Sequence, residues 1–293
     1  MATDLQQYLD LGRRRIDDAL ERRLPPSAAP PVVLQKATRY VLLAPGKRLR
    51  GIVLLAAAEL LRGSAEVALP LACGVEMVHA ASLVLDDLPS MDDATLRRGK
   101  PVLHREVGEA NAILTAVELL NAGFQAVRDA NGLRPRLRLE IANRLAQAIG
   151  SEGLIGGQVA DLEATGKALD LEALEYIHSH KTGALFIAAA ELGVLAAGGR
   201  ARAREALGLY AKNLGLAFQI TDDLLDYSGD PGVTGKDAGL DRDKTTFVNL
   251  CGIDGARKLV DDLIDASTGY LLPFGRRSTL LHALAEHVRR RDR

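Results

Sequence analysis

Apolar residues recur at helical spacing along almost the whole chain, and no stretch alternates convincingly as a strand would. The interruptions are short: "PPSAAPP" (25–31), "LAPGKRLRG" (43–51), "DDLPSMDD" (86–93), "ANGLRPR" (130–136), "AAGGRAR" (196–202) and "YSGDPGVTGKDAGLD" (227–241). Each holds the Gly or Pro that ends helices. The pattern predicts an all-α protein of many helices. The longest apolar run, Gly183 to Gly199, is short for a membrane span and carries Glu191, so a buried core helix is expected there.

The pattern Asp-Asp-x-x-Asp occurs twice, as "DDLLD" (222–226) and "DDLID" (261–265). In both copies the first and last Asp stand at i and i+4 on one helix face, so the motif alone decides nothing. Around the later copy, Leu259, Val260, Leu263 and Ile264 take one half of the helix and the three Asp the other. That predicts an ordinary surface helix without a function. Around the earlier copy, "LGLAFQITDDLLDY" is apolar on most of its circumference. Gln219, Asp222 and Asp226 form a polar stripe only about 60° wide. Carboxylates on such a helix need pairing or a metal.

"CGVEMVHAASLVLDD" (73–87) passes the same test. His79 and Asp86, seven residues apart, share a face of a nearly all-apolar helix. That helix should stop near Pro89 and leave Asp92 and Asp93 to fold back in a loop. Carboxylates arranged this way suit Mg2+, which takes one or two of them plus water and phosphate oxygens. Two basic loops complement them. "PGKRLRG" brings Lys47, Arg48 and Arg50 together at a helix start, where free N–H groups also favour an anion. "TGKDAGLDRDKTT" (234–246) carries Lys236 and Lys244. The expected ligand is a polyanion bridged by metal ions between two acidic walls.

Composition narrows the classes. In 293 residues, 37 Lys and Arg balance 38 Asp and Glu, leaving a net charge of -1, so no global charge points to nucleic acid or an anionic membrane. The first residues lack the apolar core of a signal peptide, and a cytoplasmic protein without stable membrane insertion is expected. Cys73 and Cys251 read as small buried hydrophobes of a reducing compartment.

With these residues in place, the chain resembles the trans-isoprenyl diphosphate synthases over essentially its whole length. "PGKRLRG", "HAASLVLDDLPSMDDATLRRGKPVLH", "GGQVADLE" (156–163), "IHSHKTGALF" (177–186), "FQITDDLLD" and "GKDAGLDRDKTT" follow in that family's order. The resemblance implies a single domain over 1–293, a large bundle of antiparallel helices around a central cavity, and a homodimer. It implies that Asp86, Asp92 and Asp222, supported by Asp226, hold three Mg2+ on an allylic diphosphate. Arg97, Lys181 and Lys236 would bind that diphosphate, with Lys244 in the same substrate-binding loop. Lys47, Arg50, His79 and Arg98 would hold isopentenyl diphosphate, and Thr182 and Gln219 would line the carbocation. The implied chemistry is cleavage of the allylic C–O bond and attack by the isopentenyl double bond. A proton then passes to the released diphosphate, so no protein base is required.

"AVELLNAGF" (116–124) and "FVNLCG" (247–252) depart from the commoner family pattern and resemble bacterial carotenoid-type geranylgeranyl diphosphate synthases. Ala81, five residues before the first Asp, stands where a bulky aromatic would stop growth at fifteen carbons. A C20 product is expected, with a C15 farnesyl product as the alternative. Ser82 points nearer the Asp86 face, and Ala81 about 140° away, so the gate is shared. A terpene cyclase needs no second diphosphate site, a silent partner subunit tends to lose one acidic cluster, and no loop has the spacing of an EF-hand.

Overall fold

The computed structural model describes residues 5–228 and 245–291. Thirteen α-helices are defined among them: α1 (Leu5–Arg23), α2 (Val32–Leu42), α3 (Leu49–Leu60), α4 (Ala65–Asp86), α5 (Leu103–Val107), α6 (Glu109–Arg128), α7 (Pro135–Ile149), α8 (Leu154–Ala164), α9 (Leu171–His178), α10 (Ala184–Ala196), α11 (Ala201–Ser228), α12 (Phe247–Gly269) and α13 (Thr279–Arg289). Their starts use ordinary local chemistry. The Ser64 hydroxyl accepts from the Glu66 N–H, the Asp170 carboxylate from the Ala173 N–H, and the Thr246 hydroxyl from the Asn249 N–H.

The centre is built from helices that are apolar all round. Helix α4 is buried from Leu71 to Val78, and α10 carries only Glu191 as a charge. Among the described residues, α4 is also long and apolar enough to cross a membrane, but 67% of the relevant window is buried inside the protein. Glu191 is paired with Arg144 of α7, which explains a carboxylate in the apolar run. Helices α4 and α6 touch through Gly74 and Gly123. A Cβ on Gly74 would lie 2.9 Å from the Gly123 carbonyl oxygen, so only glycine permits this approach.

Three local features differ from the sequence reading. A small antiparallel hairpin pairs β1 (Leu96–Arg97) with β2 (Lys100–Pro101), too short to register as a period. Its turn residues Arg98 and Gly99 both have positive φ (54° and 72°), which suits a tight hairpin. Between α9 and α10, Ser179–Gly183 form a π-helical turn. Cys73 is buried as expected, but Cys251 is exposed. It lies in the first turns of α12 just before Gly252, whose φ of 73° breaks the helix. An apolar sequence neighbourhood therefore did not place Cys251 inside.

Candidate active site

Helix α4 delivers the first acidic wall. It ends at Asp86, and the chain folds back as expected: the Asp92 N–H donates to the Asp86 carbonyl at 2.9 Å, and the Asp93 N–H to that of Leu88 at 3.1 Å. The two adjacent aspartates then part company. Asp86 faces Lys181, whose Nζ lies 3.2 Å from Asp86 Oδ1 and 2.7 Å from Asp161 of α8. Asp87 is buried and is held by Arg97, with Nε–O distances of 2.8 Å to both carboxylate oxygens and Nη2 at 2.6 Å. Burial pushes the Asp87 carboxyl up and the arginine opposes that shift. Arg97, expected to reach a diphosphate, is thus anchored from behind.

Lys181 and Thr182 sit in the π-helical turn, a geometry often found at functional sites. Burial would lower the Lys181 ammonium, but Asp86 and Asp161 outweigh it and keep the group firmly charged. Gly157 of α8 lies directly against the Lys181 backbone, leaving no room for a Cβ. The "GGQVADLE" segment therefore supplies both the close approach and a carboxylate partner. Thr182 Oγ1 is 3.3 Å from Gln219 Oε1, which ties the turn to α11.

Helix α11 delivers the second wall, again with a division of labour. The Asp223 carboxylate accepts from Gln219 Nε2 at 3.1 Å and from the Phe247 N–H at 3.2 Å, so it serves the start of α12. Asp222 is half-buried and paired with Arg291 Nη2 at 2.8 Å, and Asp226 is exposed. Arg291 also lies over the Phe218 ring, 4.3 Å from its centroid.

The cation cluster forms between these walls. Arg50 Nη1 is 3.2 Å from His79 Nε2, and the Arg50 guanidinium lies 4.6 Å from the centroid of Phe186. Burial pulls Arg50 down to about 10, with Glu76 and Asp222 opposing; it stays charged at neutral pH. Burial, then Arg50 and three further arginines, holds His79 well below its usual range, so the ring is neutral. Lys47 is exposed, 5.8 Å from the Phe218 centroid. Arg98 packs on Gly46, where a Cβ would stand 2.8 Å from its Nη1.

Two expectations change here. Arg48 lines a pocket with His79, Arg97 and Arg98 but is not available to an outside anion; it is buried, bonded to Asp17 at 2.7 Å and to the Leu42 and Ala44 carbonyls at 2.6 and 3.2 Å. The start of α3 is not wholly open to an outside anion either, because the Gly51 N–H is taken by Glu76 at 2.9 Å. Ala81 is fully buried, while Ser82 is half-buried with its hydroxyl donating to the His79 carbonyl. Lys236 and Lys244 lie outside the described residues.

The donor set suits Mg2+. The carboxylates come from two helices, and Asp86 Oδ1 is buried without a hydrogen bond of good geometry although Lys181 is near. Among the described residues no three candidate ligands converge on one point. Mg2+ takes one or two carboxylates and completes its shell with water and phosphate. Asp161, Asp87, Glu76 and Arg291 are the participants that sequence reasoning missed. The motif "GGQVADLE" and the lone Glu in an apolar helix were visible signals for Asp161 and Glu76. The basic terminus "HVRRRDR" carried none for Arg291.

A sequence model of the polyprenyl synthetase family matches residues 31–268. The chain is 40% identical over 292 residues to farnesyl diphosphate synthase from Geobacillus stearothermophilus, covering 98% of both chains. It is 41% identical over 295 residues to the chloroplastic geranylgeranyl pyrophosphate synthase 11 of Arabidopsis thaliana, covering 98% of this chain and 82% of that one. It superimposes on a Helicobacter pylori geranyltransferase, solved with magnesium and isoprenyl diphosphate, with a TM-score of 0.86 at 29% identity, over 98% and 97% of the two chains. With the fold, the ordered motifs and these likenesses in agreement, the chain belongs to the polyprenyl synthetase family, the trans-isoprenyl diphosphate synthases.

Proposed function

We propose that the protein condenses isopentenyl diphosphate with allylic diphosphates in a Mg2+-dependent, head-to-tail elongation, and that its main product is geranylgeranyl diphosphate. The observation that carries this reading is the presence of two cation groups beside the two acidic walls. Lys181, with Arg97 nearby, belongs to the Asp86 wall. Lys47, Arg50, Arg98 and neutral His79 form the other group. A donor with a leaving diphosphate and an acceptor with a retained diphosphate need two such places.

Asp86, Asp92 and Asp222, with Asp226 in support, would hold the magnesium ions; the Helicobacter pylori geranyltransferase was itself solved with magnesium. When bound, these ions neutralise charge that develops on the departing diphosphate. Lys181 and Arg97 add fixed positive charge at the same place, which needs no reorganisation as the C–O bond breaks. Thr182 and Gln219 present oxygen dipoles to the allylic cation from the π-helical turn and α11. Arg50 and His79 hold the acceptor, and Phe186 and Phe218 give that region apolar walls.

Identity does not separate a C15 from a C20 product, because a farnesyl and a geranylgeranyl synthase match almost equally well. The small Ala81 favours C20. We further propose a homodimer, supported by the exposed apolar face of α6 at Ile113, Leu114 and Val117. A cytoplasmic location is in keeping with the two free cysteines.

The test is incubation with Mg2+, isopentenyl diphosphate and each C5, C10 and C15 allylic diphosphate, followed by resolution of the dephosphorylated alcohols. A dominant C20 alcohol supports the reading; products stopping at C15 reject the chain length, and no product from any primer rejects the activity. Ala81→Tyr should shorten the product toward C15, with about 1–3 kcal/mol of destabilisation from overpacking a buried site. An unchanged product profile would exclude this gate.

A further inference from the structure

We propose that Glu76 is the positioning residue of the acceptor-side cation cluster, the buried counter-ion that holds Arg50 and Arg98 in place for isopentenyl diphosphate. The inference rests on the function proposed above but concerns a residue outside the expected ligand set.

Glu76 is 3% exposed and stands on α4 three residues before His79, on the same face and amid apolar neighbours. A carboxylate there is costly unless its oxygens are satisfied. Oε1 accepts from the Gly51 N–H at 2.9 Å, and Oε2 lies 3.9 Å from Arg48 Nη1. Gly51 packs against the same side chain, with a virtual Cβ 3.2 Å from Glu76 Cγ. Arg48 occupies the left-handed region (φ 50°, ψ 33°), which a non-glycine residue keeps only where its surroundings over-determine it. Glu76, Asp17 and two carbonyls of the α2 end do so.

The inward turn of Arg48 decides where its neighbours go. Lys47 is left exposed near Phe218, and Arg50, two residues beyond Arg48, meets His79 and Phe186. Glu76 also acts across space. After burial itself, it is the first influence on Arg50 and raises its guanidinium, and it raises Arg98 as well. Like charges crowded into one site repel, and a buried carboxylate behind them offsets that repulsion before any anion arrives. Glu76 acts through Arg48 and the α3 start, which makes it a positioning group.

Glu76→Gln keeps an acceptor for Gly51 and removes the charge. KM for isopentenyl diphosphate should rise about tenfold while KM for the allylic diphosphate stays within about twofold. A general loss of structure lowers active enzyme without moving that ratio. Equal changes in both constants, or none, would overturn the proposal. Should Glu76→Gln not fold, Asp17→Asn loosens Arg48 from its more exposed end. A selective rise of about two- to threefold in the same KM is then expected, and its absence overturns the idea. If the wild type shows no turnover, the function proposed above fails instead. Metal-free calorimetry with isopentenyl diphosphate then decides: about tenfold weaker binding by Glu76→Gln supports the positioning role, and equal binding rejects it.

Discussion

Two copies of one five-residue pattern live in different surroundings and do different things. "DDLLD" on α11 lies in a helix whose Leu214, Ala217, Ile220 and Thr221 are fully buried, and its Asp222 lies near Arg50 of the cation cluster. "DDLID" on α12 buries only Ile264 of its five residues and leaves Asp262 and Asp265 exposed. Arg289 and Arg291 near the C-terminal end repeat the contrast. Arg289 binds Asp261, Asp265 and Glu286 at the surface, whereas Arg291 reaches Asp222 and stacks on Phe218. Neighbouring charge, burial and aromatic walls, not the motif, set the role of a carboxylate.

Exchanging the first aspartate of each copy for asparagine gives the largest expected difference. Asp222→Asn should lower kcat by about a thousandfold, the scale of losing one strong electrostatic contribution to a transition state. Asp261→Asn should change it by less than about twofold. Steady-state kinetics with saturating substrates would show it; similar losses in both variants would dissolve the distinction.

The second aspartates test structure instead of chemistry. Asp223→Ala removes the acceptor for the Phe247 N–H and for Gln219, and should cost about 1–2 kcal/mol in urea unfolding. Asp262→Ala, exposed, should cost less than about 0.5 kcal/mol.

The arginines sharpen the comparison further. Arg291 competes for a carboxylate assigned to magnesium, so Arg291→Ala should lower the half-saturating Mg2+ concentration about two- to fivefold. Arg289→Ala should leave it unchanged and cost about 1 kcal/mol or less, since its partners are largely exposed. A magnesium titration of both variants separates these outcomes.

The smallest effect concerns His79. Its folded-state proton affinity is depressed below the ordinary 6.5 by burial and the surrounding arginines. The unfolded chain therefore takes up a proton that the native state refuses. Stability from this group is full above about pH 6.5 and falls as the pH drops below it, by at most about 1.4 kcal/mol per pH unit. Urea melts between pH 5 and 8 should show that His79→Gln flattens this part of the slope; an unchanged slope would place the titration elsewhere.

Much of the site was legible because its signals are local. The polar stripe of Gln219 and Asp222, the stop after Asp86 and the return of Asp92 follow from helical periodicity and one proline. The division within each aspartate pair was not legible. Asp87 turns to Arg97 and Asp223 to the Phe247 N–H, and both partners arrive from segments that the local pattern cannot orient. Arg48 was misread for the same reason: three cations in four residues look alike until Asp17 and Glu76 draw one of them inward. Cys251 shows the converse, an apolar neighbourhood whose helix is broken by Gly252 and left at the surface.

The sequence by itself determined the helices, their breaks and the two acidic stripes, because periodicity and Gly or Pro chemistry act within a turn or two of the chain. Only the tertiary structure decided which charges are spent on one another and which face the cavity. Lys181 on Asp86 and Arg291 on Asp222 join residues far apart in sequence, and Arg97 reaches Asp87 across the turn that follows α4. Such pairs form where burial makes an unpaired charge costly, and burial is a property of the packed fold.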